Sequence, residues 1–173
     1  MKRMAIFIAI LLPFLALLYF GLGRDPRILP SALVKKPAPD FELEGLDGQK
    51  VSLHSLKGTP VILNFWSTWC GPCIAEHGLI RQAYKTYSKD VSFFSILYED
   101  TPANAKKFIQ QYGSGAPILV DPGMRTSIDY GVGGVPETFF IDWEGKVLYK
   151  HAGVLTPALL SEQLALMTGG GPS

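Results

Sequence analysis

Apolar residues are distributed along this chain in three ways: one unbroken block near the start, several short runs, and stripes that recur every three or four positions. The block, Met4 to Leu22, holds nineteen residues without a charge. As a helix it rises about 28 Å, close to the hydrocarbon thickness of a bilayer. It is longer than an ordinary signal-peptide apolar region, and Gly21-Leu22-Gly23 is a weak cleavage pattern. The expectation is therefore an uncleaved anchor rather than a cleaved signal. The block is not amphipathic, which argues against a core helix, and a membrane span tolerates Pro13. Lys2 and Arg3 precede it while Arg24 and Arg27 follow it, so the positive-inside rule favours a cytoplasmic amino terminus by a narrow margin.

Past the block, Arg24 to Pro39 carries four prolines and no apolar period, and reads as an extended tether. Phe41–Leu43 and Lys50–Leu53 flank Asp47-Gly48 and predict a β-hairpin. Val61 to Trp66 is an apolar run bounded by Gly58-Thr59-Pro60, the pattern of a buried central strand. From Cys73 to Tyr87 a helix is predicted, with Leu79, Ile80, Ala83, Tyr84 and Tyr87 on its apolar face. A strand follows at Val91–Leu97. Thr101-Pro102 then supplies an N-cap and an N1 proline for a helix to Tyr112. A short strand at Ile118–Val120, a short helix at Arg125–Tyr130 and a hairpin of Glu137–Ile141 with Lys146–His151 come next. Thr156-Pro157 opens a last helix to about Met167, closed by glycines 169 to 171. The predicted class is α/β, with a mixed sheet covered on both faces. The domains are an anchor over 1–23, a linker over 24–39, a folded domain over 40–168 and a flexible tail over 169–173.

Composition narrows the functions. At 173 residues the chain suits one domain with a real core, and sixteen basic residues against fifteen acidic ones leave almost no net charge. With no basic stripe, nucleic acid is not an expected partner, and nothing in the pattern points beyond a monomer.

The two cysteines of the chain stand together in Trp69-Cys70-Gly71-Pro72-Cys73, directly after the central strand. Positions i and i+3 lie on one face of a helix, within the spacing a disulfide tolerates. Pro72 suits the first turn, where its missing N–H is not needed. With no other cysteine, the pair cannot belong to a structural framework. A zinc site would need further ligands, and a haem site would need histidine where Ile74 stands. Redox use of the pair remains, at the carboxyl end of a strand where open α/β sheets place their sites. Cys70 is the expected nucleophile, its thiolate favoured by the helix N-terminus, and Cys73 the resolving thiol. No cofactor and no metal is expected.

The run from Asn64 to Cys73 resembles the active-site stretch of thioredoxin-fold oxidoreductases. Two further stretches narrow the resemblance: Ala75-Glu76-His77, and Gly131 to Phe139 with its Val135-Pro136-Glu137-Thr138 core. With the anchor and the Gly23-Arg24-Asp25-Pro26 tether, nearly the whole chain is similar to the membrane-tethered thiol–disulfide proteins of cytochrome c maturation, the CcmG/DsbE type. That resemblance implies a thioredoxin fold with an N-terminal hairpin extension and one transmembrane helix, anchored in the inner membrane with its soluble domain in the periplasm. It implies an enzyme that keeps the CxxCH cysteines of apocytochrome c reduced before haem attachment, and a membrane thiol reductase as electron donor. Gly71 and Pro72 between the cysteines resemble those of the reducing thioredoxins rather than the strong oxidants. Two departures are Gly-Pro itself, at a place that varies in the family, and Gly78, where a proline commonly follows Glu-His.

The resemblance also implies that Val135-Pro136 forms the loop that faces the disulfide with a cis proline and pairs with extended substrate. Read from residues alone, an ordinary trans proline entering a strand is the better fit, and the resemblance reverses that. Thioredoxin carries an aspartate where this chain has Asn64, so Glu76 and Glu137 are the candidates for moving protons, against a reading of both as solvated acids. Trp69 is expected to shield the thiolate and touch substrate, Trp66 to lie in the core, and His77 at the surface. Other readings are a general periplasmic disulfide reductase or isomerase, and a non-enzymatic apocytochrome-binding module. Pro37 to Phe41 and Ser55 to Gly58 are also similar to peroxiredoxins, but Leu63 and Ser67 do not supply the proline and threonine those peroxidases place ahead of their cysteine.

Overall fold

A computed structural model describes residues 2–22 and 31–169. Residues 1 and 23 of the predicted anchor, 24–30 of the predicted linker and 170–173 of the predicted tail lie outside the described residues. The apolar block is a helix, α1 (Lys2–Leu22), long and apolar enough to cross a membrane, with Pro13 inside it.

The remaining elements follow the predicted order. β1 (Glu42–Gly45) and β2 (Lys50–Ser52) form the hairpin, and Leu53–Leu56 is a 3₁₀ turn. Then come β3 (Val61–Trp66), α2 (Gly71–Tyr87), β4 (Ser92–Leu97), α3 (Pro102–Tyr112) and β5 (Ile118–Val120). A 3₁₀ turn at Pro122–Met124 leads into α4 (Arg125–Asp129), and β6 (Glu137–Ile141), β7 (Val147–Ala152) and α5 (Pro157–Thr168) close the chain. α2 starts two residues earlier than the periodicity predicts, because Cys70 itself serves as the N-cap. α3 and α5 start as their cap residues dictate: Thr101 accepts from the Asn104 N–H and Thr156 from the Leu159 N–H.

The seven strands make one mixed sheet in the order β2-β1-β5-β4-β3-β6-β7. β3 runs parallel to β4 and antiparallel to β6, and β4 runs parallel to β5. The parallel pairs need crossovers, which α2 and α3 provide. β3 lies inside the sheet between β4 and β6, and all six of its residues are buried. Its side chains alternate. Val61, Leu63 and Phe65 join Ile96, Leu119, Phe139 and Tyr130 in one core, while Ile62 joins Ile80, Phe140, Leu160, Leu164 and Met167 beneath α2 and α5. Trp66 and Leu97 meet Phe108 of α3, the Trp66 and Phe108 rings 4.8 Å apart.

The later part of the segment read as a tether is laid along β7. Lys35 donates to the Val147 carbonyl (2.8 Å), Val147 to that of Lys36 (3.0 Å) and Ala38 to that of Gly145 (2.8 Å). These bonds occupy main-chain groups that an edge strand otherwise leaves open. Tyr130 locks the same segment from below. Its ring packs against Phe65 and Phe139, and its hydroxyl donates to the Pro39 carbonyl at 2.8 Å. Burial, helped by Asp40, holds the Tyr130 phenol far above its usual range. Replacing Tyr130 with Phe leaves that carbonyl unpaired and should cost about 1–3 kcal/mol, read as a lower urea midpoint with an unchanged slope.

Candidate active site

The two cysteines form a disulfide across the first turn of α2, with Cα atoms 5.2 Å apart. Cys70 Sγ accepts the Cys73 N–H at 3.1 Å, so any negative charge on that sulfur would meet a donor and the positive end of a seventeen-residue helix. Cys70 and Cys73 are nonetheless only 4% and 3% exposed. The reason is the loop ahead of β6. The Val135–Pro136 peptide is cis, and Val135 packs on the cysteine cluster with its carbonyl oxygen 3.6 Å from Cys70 Sγ. Trp69, by contrast, is 59% exposed, and its indole N–H donates to the Glu99 carbonyl at 3.2 Å.

Asp100 fixes the approach to the cysteines. Its carboxylate accepts from the Thr68 N–H (2.8 Å), the Thr68 hydroxyl (2.5 Å), the Thr101 N–H (2.7 Å) and Asn104 (2.8 Å). Burial raises its pKa, but these hydrogen bonds outweigh burial and hold it below the usual carboxylate range. Ser67 adds a hydroxyl bond to the Tyr98 carbonyl. The loop after β3 is thereby tied to the loop after β4.

Glu76 is not a solvated acid. It lies 2% exposed under the disulfide, with Oε1 accepting from Asn64 Nδ2 at 2.9 Å and Oε2 from the Leu155 N–H at 2.8 Å. Asn64 also donates to the Thr138 hydroxyl at 3.0 Å. In the sheet, Asn64 stands beside Ser95 on one flank and Thr138 on the other. The three buried side chains form a polar row between apolar rows, and that row receives the carboxyl. The buried acid that the strand lacks at Asn64 is thus supplied from α2, with Asn64 as its donor. A cavity of about 20 Å³ lies between Glu76, Cys73, His77 and Ser95, room for a single water. Burial holds the Glu76 carboxyl above its usual pKa, against the two hydrogen bonds that lower it. His77, expected at the surface, is half-buried: Nε2 sits 3.0 Å from the Gly113 carbonyl and the ring meets Phe108 edge-on. Burial pushes its pKa down, the Gly113 bond opposes this, and Arg81 adds to the lowering.

Glu137 is buried too, but its partner is Lys150, 2.8 Å from Oε2, and not a cysteine. The structure therefore brings Cys70, Cys73, Val135 and Pro136 together with Glu76 beneath, and holds Trp69 at the rim. Asn64, Asp100 and Lys150 were not legible as site residues, because their partners come from elements far away in sequence. Among the described residues, no cluster of His, Cys, Asp or Glu has the makeup of a metal site.

A dithiol–disulfide pair at the start of a helix, faced by a proline loop and backed by a buried acid, on this sheet order, defines a thioredoxin-fold oxidoreductase. Residues 34–150 match the AhpC/TSA family. The chain is 36% identical over 178 residues to the thiol:disulfide interchange protein DsbE of Allochromatium vinosum, covering 99% of this chain and 97% of that protein. It is 38% identical over 146 residues to DsbE of Escherichia coli K12, covering 82% and 77%. A crystal structure of a thioredoxin-family thiol:disulfide interchange protein from Chlorobium tepidum TLS aligns with a TM-score of 0.68 at 30% identity, over 84% of this chain and all of that one (100%). The chain belongs to the AhpC/TSA family, among the thiol:disulfide interchange proteins of the CcmG/DsbE type. It is a thiol:disulfide oxidoreductase, and its partners are thiols and disulfides.

A raised carboxyl pKa means that the folded chain binds the Glu76 proton more tightly than the unfolded chain does. Stability is then fullest below the ordinary Glu value and falls as pH rises through the folded-state value. His77 has the opposite sense, losing stability as pH falls through its ordinary value. In the oxidised protein, Glu76→Gln should remove the decline on the alkaline side and leave the His77 decline in place, as urea midpoints across pH 4–8 would show.

Proposed function

We propose that this chain is a membrane-anchored reductant that reduces the CxxCH cysteines of apocytochrome c before haem attachment, recharged by a thiol reductase in the same membrane. α1 holds it in the inner membrane, with the folded domain in the periplasm; the length and apolarity of Lys2–Leu22 support this. In the reaction, the Cys70 thiolate attacks one sulfur of the client disulfide, forming a mixed disulfide and releasing one client thiolate. The Cys73 thiolate then attacks Cys70 Sγ, closes the Cys70–Cys73 disulfide and releases the second client thiolate. Two electrons pass to the client, and the donor's dithiol returns two by the same exchange. Trp69, Val135 and Pro136 receive the client strand, with the Val135 carbonyl beside Cys70 as a main-chain acceptor.

The observation that carries the reducing direction is the buried acid. Glu76 shares a cavity with Cys73, and the positions between the cysteines, Gly71 and Pro72, hold no charge. A carboxylate there opposes a second anion on Cys73, so the disulfide is favoured over the dithiolate and the dithiol gives up its electrons readily. The same carboxylate takes the Cys73 proton when that sulfur attacks. Glu137, held by Lys150, is the second acid at the site and serves the loop it adjoins.

Two measurements test this. Cys73→Ser should stall the mixed disulfide on Cys70; capture of CxxCH polypeptides and a membrane thiol reductase supports the reading, and a broad set of unrelated secreted proteins overturns it. Glu76→Gln should slow resolution of the mixed disulfide at least about tenfold near neutral pH and flatten its pH profile, followed by stopped-flow release of a peptide thiol.

A further inference from the structure

β7 carries a cation that the cysteine chemistry does not use. The Lys150 side chain is only 15% exposed and that of Glu137 only 9%, with Nζ 2.8 Å from Oε2. Lys150 Nζ also donates to the Gly131 carbonyl at 3.0 Å and lies 5.2 Å from the centre of the Phe139 ring. Glu137 Oε1 accepts the Gly133 N–H at 3.4 Å. An exposed ion pair contributes little, but this one is sheltered and spends its donors on one short segment.

That segment is the Gly131–Glu137 loop, and both of its ends and its middle are reached by the pair. Its start is tied back by the Gly131 and Val132 N–H groups to the Ile128 and Ser127 carbonyls (both 2.9 Å), and the Pro136 carbonyl accepts the Gly153 N–H (2.9 Å), while Val132 and Val135 rest on the core. The stretch between, Gly133 and Gly134, is where the Glu137 carboxylate reaches it. Gly131 has a φ of +61°, and a Cβ built on Gly131 or Gly134 would meet no atom within 4 Å. Glycines that nothing packs against leave a loop with many conformations to lose. Yet the loop ends on the Val135 carbonyl, 3.6 Å from Cys70 Sγ. A groove beside it is bounded by Gly133, Val135, Glu137, Lys150, Gly153 and Pro72, the residue just before Cys73.

We propose that Lys150 is a positioning residue for thiol exchange. It touches no reacting atom; through the Gly131 carbonyl and the Glu137 carboxylate it holds the glycine loop so that Val135 presents its carbonyl to an extended polypeptide beside Cys70. The inference rests on the reading of Val135 and Pro136 as the surface that pairs with substrate. It assigns to Glu137 a mechanical part, as the second half of the clamp. A small disulfide that needs no main-chain pairing does not depend on the clamp.

The test uses the full-length chain in detergent, as wild type, Lys150→Met, Lys150→Arg and the double variant Lys150→Met/Glu137→Gln, which leaves no unpaired buried charge. Each reduces a CxxCH disulfide peptide, an unrelated CxxC disulfide peptide and glutathione disulfide. Lys150→Met should lower kcat/KM for both peptides about tenfold, through KM, with the glutathione disulfide rate and the Cys70–Cys73 reduction potential unchanged. The double variant should show the same loss, and reads the result if Lys150→Met does not fold. Lys150→Arg, which can keep both bonds, should recover most of the peptide activity. Unchanged peptide kinetics in the double variant overturn the proposal, as does a parallel fall with glutathione disulfide or a moved potential. Equal turnover of the two peptides by the wild type counts against the apocytochrome assignment alone and leaves the Lys150 result readable.

Discussion

A carboxyl group taken out of water must find donors for its oxygens, and Glu76 finds them in places that tie the domain together. One donor is Asn64, in the middle of β3 and itself bonded to Thr138 on the next strand. The other is the Leu155 N–H, just before α5. Through one side chain of α2, the helix carrying the cysteines is fastened to β3, to β6 and to the approach of the last helix. Breaking such a set leaves buried polar groups unpaired, which costs far more than each bond contributes. The register of α2 against the sheet follows from this, and with it the height of the disulfide above the strand ends.

The reacting sulfurs are fixed from three other directions. Asp100 gathers Thr68 and the start of α3, so the residues before Cys70 cannot drift from β4. His77 and Arg81, one turn apart on α2, bond the Gly113 and Tyr112 carbonyls at the end of α3. The Gly131–Pro136 loop covers the cysteines from the opposite side, held by Lys150. The centre is rigid beneath and beside the sulfurs. Around them Trp69, Gly71 and Pro72 face solvent, beside the groove at Val135.

Charge is arranged to the same end. The acid lies below Cys73, the helix N-terminus and a single N–H serve Cys70, and the ion pair Lys150–Glu137 is spent on backbone geometry. Two carboxylates that look alike in sequence are thus held differently. Glu76, bonded to neutral donors, keeps a raised pKa. Glu137 is paired with the Lys150 ammonium.

Local signals were enough for the elements and the reacting pair. Apolar period, cap residues and turn glycines place every strand and helix to within a few residues, because each is dictated by neighbours three or four positions away. Two cysteines at i and i+3 after a buried strand declare redox chemistry by spacing alone, and the Glu76-His77 and Val135-Pro136-Glu137-Thr138 stretches narrow the family. What sequence leaves open is that both acids are buried and what each one touches. The Glu76 donors lie 12 and 79 residues away, and Lys150 meets its loop across 19. Hydrogen bonds between residues so far apart leave no periodic trace, and they exist only once the sheet has set its register. The chain's chemistry was therefore written locally, while the environment that tunes and aims it was decided by tertiary packing.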